Sequence, residues 1–371
     1  MWYLANDKLS ENGRDYWEEH MKKALSLALM ATMAGGVATA DTFTFRIGSG
    51  HPNGPAAYVT DMAKFFVPEV KKRAEAAGHT VNFVEGYGGA IAGVAETLES
   101  VQNGILDIGG YCMCFEPAKL FLHNFPYYTP FGPQESDQAM QTVRATYDAV
   151  PWLTEQFAAE YGQVLLGLHG WDNYHLGMTD PWETVDDLKG IKIGGAGPNL
   201  PWIEFAGGVP VQSTLPDGYL SLQTGVYNGW LMLPSAYFGF KFHEPAPYYT
   251  LVGFGAMAVN ALTMNKRKFD SLPPELQAIL VEVGREYENQ AGEKLNGRQA
   301  WGLNGLKEAG ATITELPADV RAAWAQSLAG FPNQQAKEAD GRGMPGSEVL
   351  KAYLAAIETA GYEIPVDYVI E

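Results

Sequence analysis

The chain has 371 residues, of which 46% are hydrophobic and 12% aromatic, and its formal net charge is −18 at pH 7. This composition is typical of a globular protein rather than a disordered one, and the length is sufficient for two domains of ordinary size. The acidity disfavours nucleic acid and anionic lipid as partners, because both repel a negatively charged surface.

Residues 21–40 have the layout of a secretory signal peptide. Two lysines form its basic end, an apolar run follows, and Ala38-Thr39-Ala40 is a small-residue cleavage site. The apolar run is too short to span a bilayer. We therefore expect export to the periplasm with cleavage near Ala40, and we interpret residues 1–20 as an over-long gene start that precedes Met21.

The first half of the chain alternates predicted strands and helices. Residues 43–48, 80–85 and 105–109 are rich in β-branched and apolar residues, which is typical of strands. Between them, apolar residues at helical spacing predict helices over residues 55–77 and 94–103. This β-α-β-α-β order indicates an α/β lobe.

The middle of the chain predicts a second lobe. Residues 188–230 show a helix end, a strand, a glycine- and proline-rich loop, a second helix and another strand, an order whose strand ends face a ligand in α/β folds. A strand is predicted before this segment at residues 164–169. A further strand at residues 251–265 is expected to return to the first lobe. The proline pair at residues 273–274 predicts the start of a helix that runs to about Leu306.

Several motifs carry a resemblance to a known family. They are Asp187-Leu188-Lys189-Gly190-Ile191-Lys192-Ile193, Leu222-Gln223-Thr224-Gly225-Val226, and the Leu-Pro-Pro-Glu-Leu-Gln run within residues 269–277. In this order they resemble the motifs D-L-K-G-L-K-I-R, L-Q-T-G-V and W-x-x-L-P-x-E-x-Q of TRAP transporter solute-binding proteins of the C4-dicarboxylate type. The glycine-rich residues 89–93 and the strand entry at residues 103–108 also match that family's pattern. The resemblance covers nearly all of residues 42–330.

The resemblance implies an α/β, two-lobed periplasmic binding protein fold with a hinge, an inter-lobe ligand cleft and a long bracing helix. It implies a lobe I of residues 41–165 plus about 251–300 and a lobe II of residues 166–250 plus about 301–340. Residues 341–371 would form a helical tail. The implied function is a periplasmic receptor that captures a small organic solute and delivers it to the membrane subunits of a TRAP permease, with no catalytic activity, cofactor or metal.

Polar and aromatic residues of this chain are expected to converge in the cleft, because ligands of open α/β folds bind at the carboxyl ends of strands. The predicted ligand-binding residues are Glu85, Tyr87, Tyr111, Trp171, Asp172, Asn173, Gly194, Asn199, Trp202, Tyr227, Asn228 and Trp230. Neighbouring candidates are His51, Cys112, His175 and Tyr237.

Two departures from the family pattern affect the ligand. Gly194 replaces an arginine that in the family clamps a substrate carboxylate, and Asn228 replaces an aspartate. A guanidinium is the side chain that offers a planar, permanently charged fork, so we expect simple C4-dicarboxylates to bind poorly. We expect space beside aromatic walls at Gly194 and a ligand with an apolar body or a cationic nitrogen, paired with Asp172 or Glu85. A monocarboxylate held by Lys192, His175 or backbone N–H groups is the second possibility.

Other function classes have weaker support. A periplasmic enzyme would use His51 or His175 with Asp172, but no G-x-S-x-G or H-E-x-x-H motif is present. A periplasmic ligand-sensing protein is a further alternative. A dinucleotide or phosphate site would require glycine motifs that the chain lacks. Cys112 and Cys114 are expected to point to opposite faces near a strand end and to remain free thiols.

Overall fold

The computed structural model describes residues 41–371. The predicted signal peptide at residues 21–40, its cleavage site near Ala40 and the over-long start at residues 1–20 lie outside the described residues. Within residues 41–371, no helix is both long enough and apolar enough to cross a membrane.

The strands of the described residues form two sheets. In chain order they are β1 (Thr42–Gly48), β2 (Thr80–Gly86), β3 (Ile108–Cys112), β4 (Gln163–Trp171), β5 (His175–Met178), β6 (Lys192–Gly195), β7 (Val209–Gln212), β8 (Gly229–Met232), β9 (Tyr248–Leu251), β10 (Met257–Asn265) and β11 (Thr312–Glu315).

Helices cover and connect these sheets. In chain order they are α1 (Ala57–Asp61), α2 (Val67–Ala76), α3 (Thr97–Gln102), α4 (Phe125–Tyr128), α5 (Ser136–Ala149), α6 (Trp152–Tyr161), α7 (Leu200–Phe205), α8 (Leu215–Gln223), α9 (Pro234–Gly239), α10 (Lys266–Asp270), α11 (Pro274–Glu308), α12 (Ala318–Ser327), α13 (Phe331–Gly341) and α14 (Gly346–Thr359). A π-helical turn at Met62–Phe66 joins α1 to α2, so the helix predicted over residues 55–77 continues through it.

Each sheet belongs to one lobe. The first has the strand order β2-β1-β3-β10-β4, with β1 parallel to β2 and β3, and with β10 antiparallel to β3 and β4. The second has the order β11-β9-β5-β8-β6-β7, with β6 parallel to β7 and β8. This arrangement confirms the predicted two-lobed α/β fold.

The chain passes between the sheets at defined points. It leaves the first sheet after Trp171, enters the second at His175, and returns between Leu251 and Met257. The strand β4 therefore lies in the first sheet over its whole length. The lobe boundaries proposed from the sequence at about residues 165, 250 and 300 stay predictions.

Two predicted strands have different bounds in the structure. The strand expected at residues 105–109 begins at Ile108, because Asp107 accepts hydrogen bonds from the backbone N–H and the guanidinium of Arg46 and holds the preceding residues in a turn. The strand expected at residues 251–265 is divided into β9 and β10. Gly253 and Gly255 lie between them with φ of +70° and +108°, a backbone conformation that interrupts an extended strand.

The long helix α11 contacts both lobes. A Cβ placed on Gly284 would lie 2.3 Å from the carbonyl oxygen of Leu166 in β4, and one placed on Gly302 would lie 2.4 Å from the carbonyl carbon of Pro234 in α9. Between these points, the buried Glu288 accepts hydrogen bonds from the Arg144 guanidinium at 2.5 Å and from the Leu168 backbone N–H at 2.9 Å. This helix is the bracing helix that the sequence predicted.

We predict that Gly284→Ala destabilises the protein by about 1–3 kcal/mol or more, because the added methyl group overpacks the contact between α11 and β4. The matched control is Gly297→Ala on the same helix, where an added Cβ meets nothing within 4 Å. The control should stabilise the protein by up to about 1 kcal/mol through helix propensity. Urea denaturation of both variants measures the difference, and equal free energies of unfolding would contradict the predicted close contact.

Candidate functional site

A cavity lies between the lobes at the carboxyl ends of strands from both sheets. It is narrow, with a volume of about 20 Å³. The lining residues are His51, Cys114, Phe115, Trp171, Tyr174, Ala196, Asn199, Leu215, Trp230, Leu231, Met232 and Leu233. They follow β1, β3 and β4 in the first lobe and β6 and β8 in the second, so this is the position expected for a ligand site in such a fold.

Four buried nitrogen atoms on this cavity have no hydrogen-bond partner within residues 41–371. They are His51 Nε2, Trp171 Nε1, Asn199 Nδ2 and Trp230 Nε1. Buried polar atoms are nearly always paired, and each one left unpaired costs roughly 1–3 kcal/mol. Four such atoms on the residues of one cavity make this cavity the candidate ligand site.

The ring of His51 is oriented by a chain of hydrogen bonds. Its Nδ1 lies 2.9 Å from the Tyr58 hydroxyl, which lies 2.8 Å from the Ser49 hydroxyl, and Ser49 Oγ accepts the His51 backbone N–H. If Ser49 donates to Tyr58 and Tyr58 donates to Nδ1, both hydroxyl hydrogens in this series of hydrogen bonds have an acceptor. That arrangement places the ring hydrogen on Nε2. Burial lowers the pKa of His51 to about 4, so its imidazole is neutral at pH 7.

The amide of Asn199 and the two indoles are also held in place. Asn199 Oδ1 accepts the backbone N–H of Ala196 at 3.0 Å, which leaves Nδ2 as the free donor of the side chain. The Trp171 ring packs edge to face on Tyr58 with 5.4 Å between centroids. The Trp230 ring packs in the same way on Tyr227 at 5.2 Å. The donors are therefore preorganised by the surrounding fold.

The rest of the lining is uncharged. Among the described residues that line the cavity, there is no lysine, arginine, aspartate or glutamate. Phe115, Leu215 and Leu233 are representative of the remaining surface, which is mostly apolar. The cavity is thus a small apolar site with several hydrogen-bond donors.

Three of the twelve predicted ligand-binding residues line the cavity, namely Trp171, Asn199 and Trp230, together with the neighbouring candidate His51. Their contact with a ligand stays a prediction. Phe115 and Leu233 line the same cavity and were not predicted. Leu233 lies three residues after Trp230, so continuing that motif to the end of its strand was the available signal.

The two acidic residues predicted to pair with a cationic ligand, Asp172 and Glu85, do not line the cavity, which corrects the prediction. The Asp172 carboxylate is fully buried and accepts hydrogen bonds from the Ser235 hydroxyl at 2.6 Å and the Ser235 N–H at 3.1 Å. Burial raises the pKa of Asp172 to about 6 in spite of these bonds. Glu85 is exposed at the end of β2. Neither lines the cavity, so neither is placed to pair with a cationic ligand there.

Most of the other predicted residues are structural in the described fold. Tyr111 lies in the core of the first lobe and shares a hydrogen bond with Gln163. Trp202 donates to the Tyr127 carbonyl oxygen and stacks on Phe254. The remaining ones also lie outside the cavity lining. Asn173 forms hydrogen bonds with Gln134, Gln299 and Gly255, and Tyr87 is half-buried after β2. Tyr227 packs behind Trp230, and Asn228 precedes β8 at the strand end away from the cavity.

The expectation of empty space at Gly194 is also wrong. A Cβ placed on Gly194 would lie 3.0 Å from the Trp230 ring and 3.1 Å from the Tyr227 ring. A larger residue would crowd the two aromatic rings beside β6, which favours glycine at this position. The family arginine has been exchanged for aromatic packing rather than for a void.

The two cysteines form a disulfide between Cys112 and Cys114, which corrects the expectation of free thiols. Residues two apart on a strand share a face, so the assumed opposite orientation was mistaken. Cys112 is the last residue of β3, and Cys114 lies in a 3₁₀ turn at Met113–Phe115, which leaves the Cα atoms 5.1 Å apart. That separation suits a disulfide. The bridge therefore lies in the turn that supplies Cys114 and Phe115 to the cavity wall.

Two α/β lobes with a cavity between their strand ends are typical of a binding protein of the periplasmic type. The family profile described as bacterial extracellular solute-binding protein, family 7 (DctP) matches residues 58–338. The chain belongs to this family, which confirms the resemblance to TRAP transporter solute-binding proteins.

Relatives and solved structures agree with this assignment. The C4-dicarboxylate-binding periplasmic protein DctP of Rhodobacter capsulatus is 27% identical over 244 residues, which cover 62% of this chain and 70% of the relative. A TRAP solute-binding protein from Rhodoferax ferrireducens in complex with copurified benzoate has a TM-score of 0.77 and 19% identity, covering 86% of this chain and 98% of that one. A marine metagenome TRAP solute-binding protein specific for aromatic acid ligands has a TM-score of 0.76 and 20% identity, covering 87% and 100%. The structural likenesses show a shared fold.

We predict that restoring the family arginine by Gly194→Arg destabilises the protein by about 1–3 kcal/mol and creates no affinity for succinate, because the side chain collides with Tyr227 and Trp230. The matched control restores the other family residue with Asn228→Asp, at a partly exposed position, and should change stability by less than about 0.5 kcal/mol. Thermal unfolding and calorimetric titration with succinate measure both effects. Tight succinate binding by a stable Gly194→Arg variant would refute the packing argument.

Proposed function

We propose that this protein captures a small organic solute in the cavity lined by His51, Trp171, Asn199 and Trp230 and delivers it to a TRAP-type membrane permease. The observation that carries the proposal is the group of four buried, unpaired nitrogen atoms on one inter-lobe cavity. Family membership supports the transport role, since relatives of this fold are binding proteins.

A binding role without catalysis is supported by the arrangement of the candidate catalytic groups. His175 Nδ1 accepts the Gly253 backbone N–H, and the Asp172 carboxylate is bonded to Ser235. His51 is bonded to Tyr58 instead of a carboxylate. In the part of the chain that the structure describes, neither histidine therefore forms the base–carboxylate pair that an activated nucleophile requires.

Contacts between the lobes support closure of the cavity around a solute. The Trp202 indole of the second lobe donates to the Tyr127 carbonyl oxygen of the first at 2.9 Å. A Cβ on Gly197, in the turn after β6, would lie 3.2 Å from the Cys114 carbonyl oxygen. These contacts lie beside the cavity, so a bound solute that bridges the lobes would favour the closed state.

We predict that a thermal-shift screen of monocarboxylates, dicarboxylates, polyols and amines will identify a stabilising ligand. A ligand at 100 times its Kd stabilises the folded state by about 2.7 kcal/mol. Ala196→Phe should abolish the shift, since Ala196 lines the narrow cavity and the phenyl ring would fill it. The matched control Ala118→Phe lies at an exposed position outside the cavity and should bind normally.

Small-angle scattering of the loaded protein should show a smaller radius of gyration than that of the free protein. A ligand that still binds the Ala196→Phe variant with unchanged affinity would show that the solute binds elsewhere. A screen with no stabilising compound would contradict the receptor role.

We also propose that this chain itself is exported, as its relatives are. The support is the basic, apolar and small-residue order of residues 21–40. N-terminal sequencing of protein from the periplasm should begin near Asp41. A sequence that begins at Met1 or Met21 would contradict cleavage.

A further inference from the structure

We propose that the solute is a monocarboxylate with a compact apolar body, and that uncharged N–H donors of His51, Trp171, Asn199 and Trp230 hold its carboxylate in place of an arginine. This inference rests on the proposed function and adds the chemical class and the mode of recognition.

The first argument is the concentration of unpaired donors. Fourteen buried side-chain nitrogen and oxygen atoms lack a hydrogen-bond partner within residues 41–371. Four of these fourteen belong to the twelve residues that line this one cavity. All four are nitrogen atoms, and no unpaired side-chain oxygen of the described residues lies among the lining residues. The cavity is therefore complementary to hydrogen-bond acceptors.

The second argument concerns the sign of the ligand's charge. An indole nitrogen and an amide nitrogen only donate hydrogen bonds, and His51 Nε2 is a donor as well when Tyr58 donates to Nδ1. A cationic nitrogen would leave the donors of Trp171, Asn199 and Trp230 unpaired. It would also find no counter-ion, since Asp172 is bonded to Ser235 away from the cavity lining. An anion is favoured over an amine.

The third argument identifies the anion as a single carboxylate. Its two oxygens offer about four lone-pair positions, which matches the number of donors, and hydrogen bonds to a charged acceptor are roughly twice as strong as neutral ones. The remaining wall, represented by Phe115, Leu215 and Leu233, is mostly apolar and suits the body of the solute better than a second carboxylate. Burying a second charge there would be strongly unfavourable. The cavity is narrow, at about 20 Å³, so the apolar body is compact.

The packing around Gly194 explains the missing arginine. A Cβ on Gly194 would lie 3.0 Å from the Trp230 ring, and the indole nitrogen of this cavity-lining residue has no partner among the described residues. One residue therefore excludes the guanidinium and supplies a donor of its own.

The ligand arm of the test uses matched compounds that differ only in the polar group. Benzoate, benzamide and benzylamine form one set, and isovalerate with its amide and amine forms a second with an aliphatic body. Succinate is the dicarboxylate reference. Titration calorimetry of the wild-type protein should show that at least one monocarboxylate binds ten-fold or more tightly than its amide, and that the amines and succinate bind more weakly still.

The protein arm removes donors one at a time. Trp171→Phe and Trp230→Phe keep an aromatic ring and remove only the N–H, and each should weaken carboxylate binding by about 10- to 100-fold, the range for a hydrogen bond to a charged group. Asn199→Asp keeps the oxygen that accepts the Ala196 N–H but replaces the Nδ2 donor with a charged oxygen, so it should abolish carboxylate binding. Circular dichroism and thermal unfolding establish that each variant is folded.

The matched control is Trp182→Phe. Trp182 also has a buried indole nitrogen with no partner in the described chain, but it does not line the cavity. This variant should bind the monocarboxylate with the wild-type affinity. If Trp182→Phe weakened binding as much as Trp171→Phe, loss of an indole N–H would be acting through the fold and the inference would be overturned.

The outcomes separate this inference from the proposed function. If an amine, a polyol or succinate binds most tightly and Ala196→Phe removes that binding, the receptor role stands and the monocarboxylate inference fails. Unchanged monocarboxylate affinity in both Trp171→Phe and Trp230→Phe also overturns the recognition mode. If no compound in either panel binds the wild-type protein, the proposed function fails together with the inference.

Discussion

The close contact between α11 and both lobes determines how the two sheets face each other. Gly284 brings the helix against β4 in the first lobe, and Gly302 brings it against α9 in the second. Glu288, bonded to Arg144 and to the backbone of β4, holds the middle of the helix to the first lobe. Because one rigid helix spans both contacts, the carboxyl ends of β1, β3 and β4 lie opposite those of β6 and β8, and a cavity forms between them.

The cavity is lined by uncharged residues because the nearby charged side chains form hydrogen bonds elsewhere in the fold. Asp172 is at the crossing between the sheets, where it bonds Ser235 at the start of α9 and so ties the crossing to the second lobe. The Arg298 guanidinium donates to the Gly54 and Pro55 carbonyl oxygens. Because both charged side chains form structural hydrogen bonds, recognition in the cavity depends on neutral donors. These donors lie in a low-dielectric surrounding, where hydrogen bonds are stronger than in water.

The fold was predictable from sequence because it depends on order and periodicity. Motifs such as Asp187–Ile193 and Leu222–Val226 mark helix ends and strand starts. The site was predictable only in part, because side-chain direction depends on register and on tertiary partners. Trp171 and Trp230 line the cavity whereas Trp202 does not, and composition alone does not distinguish them. The Cys112–Cys114 bridge depended on a turn that the strand pattern did not indicate.

The exchange at Gly194 shows why a single missing residue is a weak guide to a site. Absence of an arginine suggested space and a change in the sign of the ligand's charge. The structure shows that Tyr227 and Trp230 fill the position, so no space is gained. What changes is the type of donor, from a charged fork to separate N–H groups fixed by Tyr58, Ala196 and the aromatic packing. Separate, rigid donors give less charge but a defined geometry, which favours a small anion attached to an apolar body over a doubly charged one.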